Sequence, residues 1–204
     1  KAKLPKKIAD QLLFAWYYGW QVFDTAHTSE QGQTWKQNVF AKFKKLADEG
    51  WVKGGYRITH KQVALENLKA GALIYPTEFY EIDYIGGTKA QVAGVVPITT
   101  DFAALDEKIQ FGTKIHSNKN KSNWTDNINY NFGLSDKKLQ NKFIDVVVDY
   151  LLNVEKWEGE RSKMSAWARK TYNWPRIVAL WNEELTKQIY AKSKSIKKGR
   201  VIVR

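Results

Sequence analysis

The chain has 204 residues, 43% hydrophobic and 14% aromatic, enough for one packed core and too few for two full domains. Its formal net charge of +12 raises nucleic acid or anionic membrane as partners, and the absence of cysteine excludes a disulfide framework and a thiolate zinc site. No apolar run approaches the roughly 18 residues of a membrane span, and no apolar signal core follows the first lysines, so a cytoplasmic protein, at most peripheral at a membrane, is expected.

After a basic lead-in over 1–10, Leu12, Leu13, Phe14, Ala15, Trp16 and Tyr17 form an apolar run without alternation. That is the mark of a strand buried on both faces, predicted over 11–18. A loop follows over 19–32. Trp35, Val39, Phe43 and Leu46 recur at helical spacing over 34–49, and Gly50 stops the helix. Residues 51–57 form the next strand. Thr59-His60-Lys61-Gln62 then has the capping-box pattern, opening a helix that ends near Gly71.

Residues 72–75 are a short apolar strand stopped by Pro76, which lacks the donor that the next ladder bond needs. The polar loop over 77–83 holds Glu78, Glu81 and Asp83. A helix runs from about Tyr84 to Ala93, with Gly94 in the position after a helix end. Predicted next are a strand over 95–99, a short helix over 102–108 and a strand over 113–116. Residues 117–134 turn to Asn, Lys and Ser and read as a surface loop, its glycosylation-type patterns at Asn120 and Asn123 incidental. Ser135 caps a helix with Leu139, Phe143, Val146, Val147, Tyr150 and Leu151 on its buried side. A second helix covers 155–170, and Pro175 starts a third, with Ile177, Val178, Trp181, Leu185 and Ile189 as its stripe.

Strands alternating with helices predict an α/β fold with a parallel sheet flanked by helices and followed by C-terminal helices. In such a sheet the loop leaving a strand and the next helix start form the usual ligand site, here 76–85. The sequence carries no Asp-x-Asp, Gly-x-Gly-x-x-Gly, phosphate-binding loop or Gly-x-Ser-x-Gly turn. His27, His60 and His116 have no metal spacing, and no metal or cofactor is expected.

Pro76-Thr77, Glu81, Ala90-Gln91, Gly94 and Pro97 follow an ordered pattern, with Tyr18-Gly19-Trp20 and Gly54 to Lys61 upstream and Thr99 to Leu105 downstream. Over about 12–115 this pattern resembles the donor-binding domain of GT-B-type retaining glycosyltransferases. The resemblance implies a Rossmann-like sheet, half of a GT-B fold, over 1–192, including the helices over 135–192, with 193–204 as a basic tail. It implies transfer of a hexose, without metal, from a nucleoside diphosphate sugar to a glycan or lipid-linked acceptor. Glu81 would contact the donor sugar, and the backbone of Ile82, Asp83, Tyr84 and Ile85 would approach the donor. Arg57, Ile58 and Thr59 would meet the base, and Thr100 would line the site.

Local alternatives stand beside each role. Glu81 suits a helix start through the dipole, Asp83 is an ordinary helix cap, and Thr59 a capping residue. The chain departs from the family at Lys89, where the family has a second Glu that holds the ribose. An ammonium only donates, so it serves a ribose lone pair or a phosphate but does not clamp two hydroxyls as a carboxylate does. It is equally read as a lysine on a solvated helix face.

By the same resemblance a further central strand and helix would precede 12, with the acceptor domain before them. This chain alone is therefore expected to be inactive, to need that N-terminal domain or a second chain, and to leave a sheet edge for 201–203 or a neighbour in a homo-oligomer to cover. Two other readings remain at this point. Residues 187–204 hold seven Lys and Arg and no acid, which fits a nucleic-acid-binding module or a tail on anionic lipid. Lys89 fits a GT-B-fold structural subunit with a decayed site.

Overall fold

The computed structural model describes residues 3–17, 29–117, 134 and 136–197, with side chains as far as Lys194. α1 (Lys6–Gln11) follows Pro5, whose fixed φ and missing N–H are harmless at a helix start. It leads into β1 (Phe14–Trp16), which pairs in parallel with β2 (Val52–Gly54), Phe14 opposite Val52 and Trp16 opposite Gly54. α2 (Glu30–Asp48) makes the crossover. Ser29 caps it by accepting the Gly32 amide at 3.1 Å, and its buried Phe43 meets the Trp16 ring edge-on at 5.4 Å. α3 (His60–Lys69) opens on the predicted capping box: Thr59 Oγ1 accepts the Gln62 amide at 3.2 Å and Gln62 Oε1 accepts the Thr59 amide at 2.8 Å.

A second parallel sheet has the order β3 (Ala72–Tyr75), β4 (Val96–Thr100), β5 (Thr113–Ile115), with Ala72 opposite Val96 and Ile98 opposite Thr113. α4 (Ile85–Val92) and α5 (Ala104–Lys108) are its crossovers. Every residue of β4 is buried. α6 (Lys137–Leu152) sets Leu139, Phe143 and Tyr150 against Val96, Ile98 and Ile115, joined by Met164 of α7 (Val154–Thr171). α7 also holds the far end of α4, since Ser165 Oγ donates to the Val92 carbonyl at 2.7 Å and Arg161 Nε to the Gly94 carbonyl at 2.8 Å. α8 (Trp174–Lys197) ends the described chain.

The α/β class, the parallel pairing and the C-terminal helices are as the sequence predicts, but the expected single sheet is two. Among the described residues β1 pairs only with β2 and β3 only with β4. Both border an apolar cavity of about 550 Å³ whose walls include Leu12, Phe14, Ile74, Pro76, Phe143 and Val147. Of the strand expected over 11–18 the described residues show three: a run that needs cover on two faces and two edges is paired on one, and Leu13 stays 51% exposed. Residues 201–203, Asn120 and Asn123 lie outside the described residues.

Two further expectations are corrected. Ser135 lies outside the described residues, and the N-cap of α6 is Asp136, whose carboxylate accepts the Lys138 amide at 2.6 Å. The stripe of α8 is not buried: Ile177 is half-covered, whereas Val178, Trp181, Leu185 and Ile189 are exposed, because the helix leaves the body after its first turn. No described helix is long and apolar enough to cross a membrane.

Ile98→Ala is expected to cost about 2–5 kcal/mol in urea unfolding, as truncation of a fully buried residue does. Trp181→Ala should stay within about 0.5 kcal/mol, and a larger cost would mean that the α8 face is covered in solution. A pH effect follows from Glu66 of α3, which takes an ion pair from Lys53 of β2 at 2.5 Å and a hydrogen bond from the Tyr17 hydroxyl at 3.2 Å. The Lys53 bond holds the Glu66 carboxyl below its ordinary value against the opposing effect of desolvation. A depressed carboxylate stabilises the fold above its unfolded pKa and loses that contribution as pH falls through the folded value. Glu66→Gln should therefore lower the urea midpoint at pH 7, and the difference should close below about pH 4.

Candidate functional site

The carboxyl ends of β3 and β4 carry the site. Beyond Tyr75 and Pro76 the loop over 77–83 is fastened from inside: Thr77 Oγ1 accepts the Phe79 amide at 3.0 Å, and Thr100 Oγ1 donates to the Thr77 carbonyl at 2.6 Å. Glu78 is buried and accepts the Ser117 hydroxyl at 3.0 Å. Asp101 accepts the Ser117 amide at 2.8 Å and lies 2.7 Å from His116 Nδ1. The Ala104 amide donates to the Glu81 carbonyl at 3.1 Å, joining the loop to α5.

Held this way, Glu81 is half-buried at the mouth of a cleft of about 510 Å³ lined by Tyr80, Glu81, Ile82, Ala103, Ala104, Asp106 and Glu107. Tyr75 donates its hydroxyl to Glu81 Oε1 at 2.5 Å. The Tyr75 ring stacks on Tyr84, centroids 4.6 Å apart and planes 11° apart. Tyr84 precedes α4 in the left-handed region, φ 50°, and no side chain caps the helix. Its first amides are left for solvent or a ligand. Burial, then the neighbouring Tyr75 and Glu81, push the Tyr84 hydroxyl far above its ordinary pKa, so the ring stays neutral.

No family model, curated protein or solved structure matches the chain.

The residues singled out from the sequence fall into two groups. Glu81, Ile82, Asp83, Tyr84 and Ile85 surround the start of α4, with Ile82 and Ile85 exposed. Asp83 does not cap the helix, because Tyr84 takes that position; it pairs with Lys108 at 2.8 Å and raises the lysine's pKa through that bond. Thr100 is fully buried, its hydroxyl spent on Thr77, so it fixes the loop instead of facing the cleft. The second group is Arg57, Ile58 and Thr59, which lead into α3, and Lys89 of α4 meets them through His60, Nζ to Nδ1 at 3.0 Å. Among the described residues no three His, Asp or Glu side chains gather as metal ligands.

Sequence reasoning passed over Tyr75 and His60. Tyr75 read as a strand end, and the only signal was a phenol at the last residue before the loop. His60 read as part of a capping box, which it also is.

Two adjacent glycines test this packing. A Cβ on Gly87 would lie 2.5 Å from the Tyr84 ring and 2.7 Å from Ile109 Cδ1, whereas one on Gly86 meets nothing nearer than 3.6 Å. Gly87→Ala should cost about 1–3 kcal/mol and change the near-UV circular dichroism as Tyr84 leaves its stack. Gly86→Ala should be neutral or gain up to about 1 kcal/mol, because alanine favours the helix.

Proposed function

We propose that the chain is the donor-binding part of a metal-independent retaining glycosyltransferase, which moves a hexose from a nucleoside diphosphate sugar to a glycan or lipid-linked acceptor. The observation that carries this reading is Glu81: a carboxylate with one oxygen oriented by Tyr75, at a cleft beside an uncapped helix start. The other oxygen is placed to accept a sugar hydroxyl, and a carboxylate is the group that binds such donors best. The pattern from Pro76 to Pro97, which resembles that of the GT-B family, supports the same role.

In this reading the hexose C1–O bond to the diphosphate breaks, its electron pair leaves on phosphate oxygen, and an acceptor hydroxyl forms the new bond to C1 and passes its proton to the departing phosphate oxygen. The protein contributes position and stabilisation of that charge, through the first amides of α4 and the Lys89 ammonium. The acceptor side comes from a further domain or a second chain. Lys89 in place of the family's ribose-holding Glu also favours a second reading, a non-catalytic subunit of the same fold, which predicts no binding of nucleotide sugars.

Calorimetric titration of the purified chain with UDP, GDP and their hexose conjugates separates the two. One nucleotide is expected to bind, and Glu81→Ala should weaken its hexose conjugate about tenfold while leaving the bare diphosphate nearly unchanged. Absence of binding by the folded chain to any of them would sink the donor-site reading.

A further inference from the structure

We infer that Lys89 and His60 together seat the diphosphate of the donor, an inference that rests on the donor-site reading. Lys89 Nζ lies 3.0 Å from His60 Nδ1. An ammonium has donors and no lone pair, so Nδ1 accepts and the ring proton sits on Nε2. The pair then offers the remaining ammonium N–H groups and one imidazole N–H, all donors. Among the described residues neither side chain has a carboxylate partner.

An all-donor pair selects its ligand. A ribose hydroxyl brings a proton that needs an acceptor, which a carboxylate supplies and this pair does not. A diphosphate brings oxygens and no donors, and its charge answers the ammonium. The placement agrees. Lys89 stands one turn after Ile85 on the same face of α4, and helix side chains lean toward the helix start, where the uncapped amides are. His60 is the first residue of α3, so the contact brings 57–59 to α4. The cleft that holds Glu81 is also lined by Asp106 and Glu107, which pair with Lys114 and Lys108; among the described residues Glu81 has no cationic partner there, so it suits a hydroxyl and not a diphosphate. The diphosphate is thereby directed to Lys89 and the hexose to Glu81.

The test compares UDP and GDP with uridine and guanosine by calorimetry, for the full chain and for Lys89→Met, Lys89→Arg and His60→Ala, each shown folded by a circular-dichroism melt. Lys89→Met, which keeps the length of the side chain, should weaken the diphosphate about tenfold or more and the nucleoside less than about twofold. Lys89→Arg should restore most of the loss, and His60→Ala should fall between. Equal weakening of diphosphate and nucleoside would overturn the assignment and give the pair to ribose or base. Unchanged affinity in Lys89→Met, with a lower melting temperature, would overturn it too, leaving a tie between α3 and α4 while the donor-site reading stands. A folded parent chain that binds no nucleotide would overturn both.

Discussion

The burial of β4 is the constraint on which the rest of the structure depends. Val96 to Thr100 have neighbouring strands on both edges, helices over both faces, and no exposed residue. Two of the five are threonines, whose hydroxyls need partners at that depth. Thr99 Oγ1 donates to the Thr100 carbonyl at 3.0 Å, and Thr100 Oγ1 reaches the Thr77 carbonyl. The second bond fixes the loop that carries Glu81. A polar residue at the end of the most buried strand therefore sets the position of a carboxylate at the surface.

α4 is fixed from its other end. Gln91 is fully buried, donates to the Lys108 carbonyl at 2.9 Å and the Gly87 carbonyl at 3.4 Å, and accepts the Gln110 amide at 3.1 Å. Each lost bond there would leave a buried group unpaired, at about 1–3 kcal/mol. With Ser165 and Arg161 on the carbonyls of Val92 and Gly94, the C-terminal half of the helix is anchored on both the α5 loop and α7. Among the described residues the N-terminal end receives no such side chains. The helix is thus held along its C-terminal half while its first amides stay without a side-chain cap.

What was legible in the sequence was local. The capping box at Thr59 and Gln62 closes over three residues, and Gly94, at φ 78°, donates to the Gln91 carbonyl three residues back. Spacing alone is enough to find such features. The order of strands and helices from α2 to α7 was legible for the same reason. Features that depend on a distant partner were not. Tyr75 meets Glu81 across a loop, and Lys89 meets His60 across 29 positions, so no window of sequence shows either contact. Periodicity misled where the partner was lacking: the runs at 12–17 and along α8 are as apolar as buried elements, and a pattern states only that a face wants cover. Asp83 was misjudged because the local conformation, Tyr84 at positive φ, displaced the cap that residue type alone suggests.

The charges around the start of α4 complete the argument. Of the acids that line or flank the cleft, Asp83 pairs with Lys108, Asp106 with Lys114 at 3.0 Å, and Glu107 with Lys108 at 3.6 Å. Glu81 is the exception among the described residues, since the hydrogen bond on its carboxylate comes from a neutral phenol. Lys89 is its counterpart, an ammonium whose contact is a neutral imidazole. A partly buried charge without a counter-charge is destabilising. Tyr75 orients Glu81 and His60 contacts Lys89, and neither neutralises the charge that it meets. Under the proposed function both charges are left for one ligand, a sugar whose hydroxyls meet Glu81 and whose diphosphate meets Lys89.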